Sequence, residues 1–281
     1  MEEERKYFIY KVSGGLAHML YQINRLIHLS KITKRFLIVD CLHGETFCSD
    51  FNKYFNIPNF EYTTSYDCLY QDSSLDHKLF ESYVKAIAMY IDVNTYFLND
   101  KLVTINVNDA IKSDEKIIYC SWIKDIEILG NIPWYIRVNK DVVDKISINK
   151  IYDKYIGVHY RNTDMKHELK DFISKIESLS QYSNIIYLAT DDYTAFDRLN
   201  ELLKDKFKII QYTKPMEGQI RSVHVSNPNK DEVILNALID MYNLTYSTYF
   251  IPSERSGFSI KIIELRKNDD FFNMTGDMDH E

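Results

Sequence analysis

Long apolar runs are missing from this chain. In 281 residues no stretch approaches the ~18 uninterrupted apolar positions of a membrane helix, so no integral membrane segment is expected. A basic leader is missing too. The N-terminus, MEEERKYFIYKV, is acidic and runs straight into a strand-like stretch. No secretory segment is expected, and the expected location is cytoplasmic. Positive charge is in deficit: 34 Lys and Arg against 41 Asp and Glu leave a formal net charge of −7. That argues against nonspecific binding to nucleic acid, which needs basic surface to neutralise phosphates. It does not exclude one local basic pocket for a small anion. Cysteine is scarce. Cys41, Cys48, Cys68 and Cys120 form no CxxC and have no histidine at zinc-like spacing, which reads as reduced thiols and predicts no metal site. A dinucleotide fingerprint is absent as well: the first strand ends in Ser13-Gly14-Gly15, not GxGxxG.

What is present is an alternation of strands and helices. The length suffices for one large domain or two ordinary ones, and 45% apolar residues can fill their cores. Tyr7 to Val12 reads as a buried strand ending at the Ser13-Gly14-Gly15 turn. Leu16, Met19, Leu20, Ile23, Leu26 and Ile27 then recur at helical spacing. Phe36 to Val39 is a second strand, completing a βαβ unit and predicting a parallel sheet. From Leu42 to about Asp114 the pattern weakens, with helical spacing near Phe80 to Ile91. Ile117 to Cys120 is a short strand, Ile132-Pro133-Trp134 breaks the pattern, and Asp141 to Ile148 is helical.

The second half is more regular. Strands are predicted at Tyr155 to His159, Ile185 to Ala189, Phe207 to Gln211 and Thr248 to Ile251. Helices follow, carrying Phe172 and Ile176, then Phe196 and Leu199, then Asp231 to Tyr242. The expected fold class is α/β, with two Rossmann-like domains facing a cleft: residues 1–150 and residues 151–281. No repeat or low-complexity linker marks the junction.

In open α/β sheets ligands sit beyond the carboxyl ends of the strands, so the residues after each strand carry the functional reading. The first strand delivers Gly14, Gly15 and, one helical turn on, His18. Two glycines permit close backbone approach, and a helix N-terminus offers free N–H groups. A plain turn explains the same residues. The strand at Tyr155 delivers His159, Arg161 and Asp164 within "GVHYRNTD". The next ends in Asp191 and Asp192, which could equally cap the following helix. The last is followed by Pro252-Ser253-Glu254-Arg255-Ser256-Gly257-Phe258-Ser259, a loop able to cradle phosphate through backbone N–H groups and a hydroxyl. Three polar strand ends on one rim point to a ligand site in the second half.

Taken together, "GVHYRNTDMKHE", "IYLATDD" and "DMYNLTYSTYFIPSERSGFS" resemble the GDP-fucose-dependent fucosyltransferase superfamily. They are most similar to the α1,6-fucosyltransferases of N-glycan cores and rhizobial chitin-oligosaccharide signals. The N-terminal "GGLAHMLYQINRLIHLSK" resembles the opening shared with α1,2-fucosyltransferases. The resemblance implies a GT-B-type fold with an acceptor-side first half and a donor-binding second half. It implies inverting transfer of L-fucose from GDP-fucose to a glycan hydroxyl, with no cofactor and no required metal. Residue by residue, His159 and Arg161 match the His-x-Arg whose arginine contacts the donor pyrophosphate. Asp164 matches the aspartate after Arg-Thr, and Asp191 and Asp192 match Ala-Thr-Asp-Asp. Asp240 matches an aspartate expected to meet guanine or ribose. Ser256 matches the serine that meets phosphate, with Gly257 and Phe258 completing its loop.

Departures from the pattern are local. The family's second arginine is Asn162 here, its lysine after the aspartate is Met165, and its Phe-Ser-Ser is Glu254-Arg255-Ser256. The glutamate proposed as base falls at a shifted spacing. Glu168 is the candidate, with His18 and Asp164 as the alternatives, since inversion needs a group to take the acceptor proton. These departures keep two other readings open: another GDP-deoxyhexose donor, or an inactive nucleotide-sugar-binding module. Trp122 and Trp134 are either sugar-stacking platforms or buried structural residues.

Overall fold

The structure is a computed structural model. It describes residues 5–12, 14–41, 47, 49–71, 95–98, 101–104, 112–114, 116–120, 131–162, 167–215 and 229–272. The chain divides into two compact units, Met1–Gly14 with His18–Arg137, and Val138–Glu281 with Gly15–Ala17.

In the first unit, β1 (Tyr7–Lys11), β2 (Phe36–Asp40), β3 (Tyr62–Thr63) and β4 (Ile117–Cys120) form a parallel sheet in the order β3-β2-β1-β4. β1 is central and buried at every position, as the apolar and aromatic run Tyr7–Tyr10 requires of a strand covered on both faces, and the run ends in a buried Lys11. The crossover to β2 is α1 (Leu16–Thr33). Its predicted apolar face is buried at Met19, Leu20, Ile23, Leu26 and Ile27, but Gln22, Asn24 and Ser30 are buried as well. The reason lies in the segment that breaks the pattern at Pro133. The Asn24 side chain donates to Pro133 O (2.9 Å) and accepts from Tyr135 N (2.7 Å), pinning that segment along the helix. Within the weakly patterned region stands an antiparallel hairpin, Thr95–Leu98 with Lys101–Thr104, which periodicity did not predict. The helix expected near Phe80 to Ile91 lies outside the described residues, as does Trp122.

The second unit opens with α2 (Lys140–Ser147). It continues through β5 (Ile156–Tyr160), α3 (Leu169–Ser178), β6 (Ile185–Thr190), α4 (Ala195–Leu203) and β7 (Lys208–Ile210). It closes with α5 (Lys230–Tyr246), β8 (Tyr249–Ile251) and α6 (Gly257–Lys267). The sheet is parallel throughout, in the order β7-β6-β5-β8. Side chains alternate across it. Ile156, Val158 and Tyr160 of β5 join Ile186, Leu188, Phe172, Ile176, Leu199 and Leu203 in one core. Gly157 and His159 face the other side. Gly157 is required there, because a Cβ would lie 2.7 Å from Ser247 Oγ and 3.0 Å from Leu244 Cδ2.

Helix α5 runs one turn beyond its predicted end. Asn243 and Thr245 near its end are poor helix formers, and tertiary contacts hold this turn. The Arg266 guanidinium donates to the carbonyls of Leu244, Thr245 and Ser247 at 3.2, 3.0 and 2.5 Å, satisfying acceptors that the helix end leaves open. At the other end Asn229 Oδ1 accepts from Glu232 N (3.2 Å).

Candidate functional site

Strand order places a switch point between β5 and β8. The chain winds outward from β5 to β7, then returns to β8 on the opposite side, leaving the two carboxyl ends splayed. Ligands of open α/β sheets bind at such a point, and His159, Arg161, Asp191, Asp192 and Ser256 of the predicted residues converge there. The β5–β8 ladder stops at Val158↔Ile251, because Pro252 has no N–H to continue it. Ser253 takes over with its side chain. Its hydroxyl donates to His159 O (2.7 Å) and accepts from Arg161 N (2.8 Å). Arg161 is thereby fixed by backbone at the rim, with its side chain 24% exposed.

His159 is buried, its ring 5.1 Å from that of Phe258 and its Nδ1 2.7 Å from Ser259 Oγ. Burial, then the charges of Arg161 and His167, push its pKa down to about 3, so the ring is neutral at any working pH. Ser259 Oγ already accepts from Ser253 N (3.1 Å). Where Ser259 gives its own proton to Nδ1, the ring's proton sits on Nε2 as a donor.

Helix α6 begins beside this pair. Its N-cap, Ser256, is fully buried and makes no capping bond. Among the described residues the Ser256 hydroxyl has no hydrogen-bond partner. The first-turn N–H groups of α6 have no intrahelical acceptor, and the space beyond Gly257 is open, with no atom within 4 Å of a Cβ placed there. Arg255, at φ +61°, is exposed. A helix N-terminus with a buried, unpartnered hydroxyl offers donors of the kind that suit an anion.

The Asp191–Asp192 pair turns inward. Asp191 accepts from Asn162 N (2.6 Å) and stands 3.9 Å from Arg161 Nε. Asp192 accepts from Thr194 N (2.9 Å), Thr194 Oγ1 (2.8 Å) and Asn162 Nδ2 (2.8 Å), with Arg198 at 3.8 Å. It starts the turn into α4 and ties the two rim loops together. Asn162, which stands where a second arginine was expected, is therefore the clasp between them.

Asp240, on α5, accepts from Tyr187 Oη (2.5 Å) and Thr213 Oγ1 (2.7 Å). No hydrogen bond or ion pair joins it to the Arg161–His159 cluster among the described residues. Burial raises its pKa from 3.8 to about 7, against the two hydroxyls, which lower it. The folded state then keeps a proton that the unfolded chain releases above its ordinary value. This contribution to stability is complete below pH ~4 and is lost as pH rises through ~7. Urea unfolding at pH 5 and 7.5 should show a stability loss in the wild-type protein that Asp240→Asn reduces. An equal loss in both proteins would remove Asp240 as the cause.

Glu168 is exposed at the start of α3 and makes no capping bond. Asp164 lies outside the described residues. His18 belongs to the first unit, where Gly14 (φ +74°) closes β1 onto α1 so tightly that a Cβ would lie 2.9 Å from the His18 ring. Gly15 follows at the start of α1. His167 was not singled out by the sequence. Its Nε2 is buried without a partner among the described residues, and its ring packs 6.0 Å from Phe172.

No protein-family model matches the sequence, and no curated protein matches it. Solved structures do. Fucosyltransferase NodZ from Bradyrhizobium is similar over 93% of this chain and 93% of its own, at 16% identity and a TM-score of 0.58. NodZ alpha-1,6-fucosyltransferase soaked with GDP-fucose matches over 93% and 92%, at 17% identity and TM-score 0.53. A mutant of Arabidopsis thaliana FUT1 in complex with GDP matches over 92% of this chain and 68% of its own, at 13% identity and TM-score 0.53. The likeness is one of architecture, and it gives the chain the α/β, GT-B-type fold of these fucosyltransferases.

Proposed function

We propose that this protein moves L-fucose from GDP-fucose to a hydroxyl of a glycan acceptor, with inversion at the anomeric carbon and with no metal or other cofactor. The observation that carries the reading is the anion cradle at the β5–β8 switch point. Arg161, a neutral His159 and the N-terminus of α6 with its unpartnered Ser256 all lie there. In this reading the cradle holds the pyrophosphate of the donor. The acceptor oxygen attacks the anomeric carbon, the bond from that carbon to the phosphate oxygen breaks, and GDP leaves with the electron pair. A guanidinium fork takes two phosphate oxygens at once and neutralises the charge that builds on them.

Gly257 leaves room for the diphosphate and Phe258 backs His159. Asp191 and Asp192 serve the donor indirectly, by setting the loop that carries Arg161. Asp240 is assigned to the guanine or ribose, since each of its oxygens has a second acceptor position beyond the hydroxyls it already receives. The acceptor proton goes to Glu168, Asp164 or His18. A second reading, a nucleotide-sugar-binding module without transfer, draws on the exposed Glu168 and on Asn162 in place of an arginine.

A donor panel read by thermal denaturation tests the assignment. GDP and GDP-fucose should each stabilise the fold, by about 2.7 kcal/mol at a hundred times the dissociation constant. Uridine diphosphate sugars should not. Equal stabilisation by another GDP-deoxyhexose would move the donor, and no response to GDP would end the reading.

A further inference from the structure

Helix α1 is buried nearly all round, but one stripe of it is not. His18, Tyr21, Arg25 and His28 are each half-buried while their neighbours are covered. Spacings of three and four residues put them on one face. In a chain of net charge −7, this 18-residue helix contains no acidic residue. Aromatic rings flank the stripe. Tyr21 meets Trp134 edge to face at 5.8 Å, and His28 stacks on Tyr135 at 6.3 Å with Nδ1 3.0 Å from its hydroxyl. Lys31 Nζ lies 4.1 Å from the Tyr135 ring centre, extending the positive charge.

Arg25 is the unusual member. Among the described residues it makes no hydrogen bond and no ion pair. Burial pulls its pKa below the ordinary value, opposed by Tyr21 and Tyr10, and no carboxylate among the described residues contributes. Its charge, after burial, also lowers the pKa of His18. A half-buried guanidinium with no counter-charge is costly unless a ligand supplies one. Pyranose rings have apolar faces that pack on aromatic side chains, and an arginine fork matches a carboxylate or sulfate.

We infer that the His18–Tyr21–Arg25–His28 stripe, with Trp134 beside it, is the acceptor-binding surface, and that it takes an oligosaccharide carrying an anionic substituent that Arg25 pairs. The role as acceptor rests on the transfer reading above; the binding of the acidic sugar does not.

The full-length protein, without donor, is titrated with three tetrasaccharides: one bearing glucuronate, its carboxyl-reduced glucose counterpart, and a sulfated form of the latter. Wild-type protein should prefer a charged form by about tenfold or more, the scale of one charge-assisted hydrogen bond. The carboxylate and sulfate arms identify which anion the fork accepts. Arg25→Gln should erase the preference while GDP-fucose binds with unchanged affinity, and Arg25→Lys should restore part of it. No preference in the wild-type protein overturns the proposal, whatever the variants do. So does a preference that survives Arg25→Gln. An equal loss of GDP-fucose affinity in that variant would assign Arg25 to the donor instead. Loss of all GDP-fucose binding in the wild-type protein, with acidic-sugar binding intact, would count against the donor reading and leave this site standing.

Discussion

Arg161→Ala is expected to lower fucosyl transfer by about 10³-fold or more while leaving the protein folded. Removing one oxyanion donor costs about 10²–10³-fold in other enzymes, and a departing diphosphate carries more charge than an oxyanion. The fold should tolerate the change for two reasons. The Arg161 side chain is partly exposed and its ion pair with Asp191 is long, at 3.9 Å, so the pair is worth less than about 1 kcal/mol. The bond that fixes the rim uses the Arg161 backbone N–H, which alanine keeps. Arg161→Lys should recover only part of the rate, because a point charge cannot reproduce the two-pronged contact. Initial rates of GDP release with acceptor present, beside melting curves of both variants, provide the check. An Arg161→Ala variant with near wild-type rate would remove the clamp from the mechanism.

Ser253→Ala should damage both stability and rate. Ser253 is 1% exposed, and its hydroxyl is the partner of both His159 O and Arg161 N. Alanine leaves two backbone groups at the rim without it. Each buried unsatisfied group costs about 1–3 kcal/mol, so for the two a loss of at least about 2 kcal/mol in denaturant unfolding is expected. With the clamp no longer fixed, a displacement of about 1 Å would lower the rate by about 10²-fold. The two effects separate in the assay: at a temperature where the variant is fully folded, the rate loss should persist. Wild-type stability with a wild-type rate would show that β5 holds Arg161 unaided.

Much of this was legible in the sequence, and the illegible parts share a cause. Strands β5 and β6 are fully patterned in their own residues, as are the crossover helices α3 and α4, because burial on the sheet imposes a local period. The rim was legible too, since Arg161 and Asp191 each follow a strand directly and Ser256 lies in the loop that follows β8. What sequence could not supply was long-range pairing. Ser253 reaches His159 across 94 positions, and Tyr187 reaches Asp240 across 53. Ser259 looks like an ordinary helical serine until it meets His159. Asn162 reads as a lost arginine, yet its amide joins two loops. Helix α1 read as one-sided because nothing local signals that Asn24 will hold the Pro133 segment against it. The hairpin at Thr95–Leu98 is too short for periodicity to separate from a loop.

The central claim is chemical, so the direct measurement is of product. The full-length protein is incubated with GDP-fucose and a panel of neutral and acidic oligosaccharides, and the products are read by mass and by anomeric coupling in NMR spectra. The account expects at least one acceptor to gain a single deoxyhexose, linked with inverted anomeric configuration, in a reaction that Arg161→Ala suppresses. Tight GDP-fucose binding with no transfer to any acceptor, or transfer with retained configuration, would contradict it.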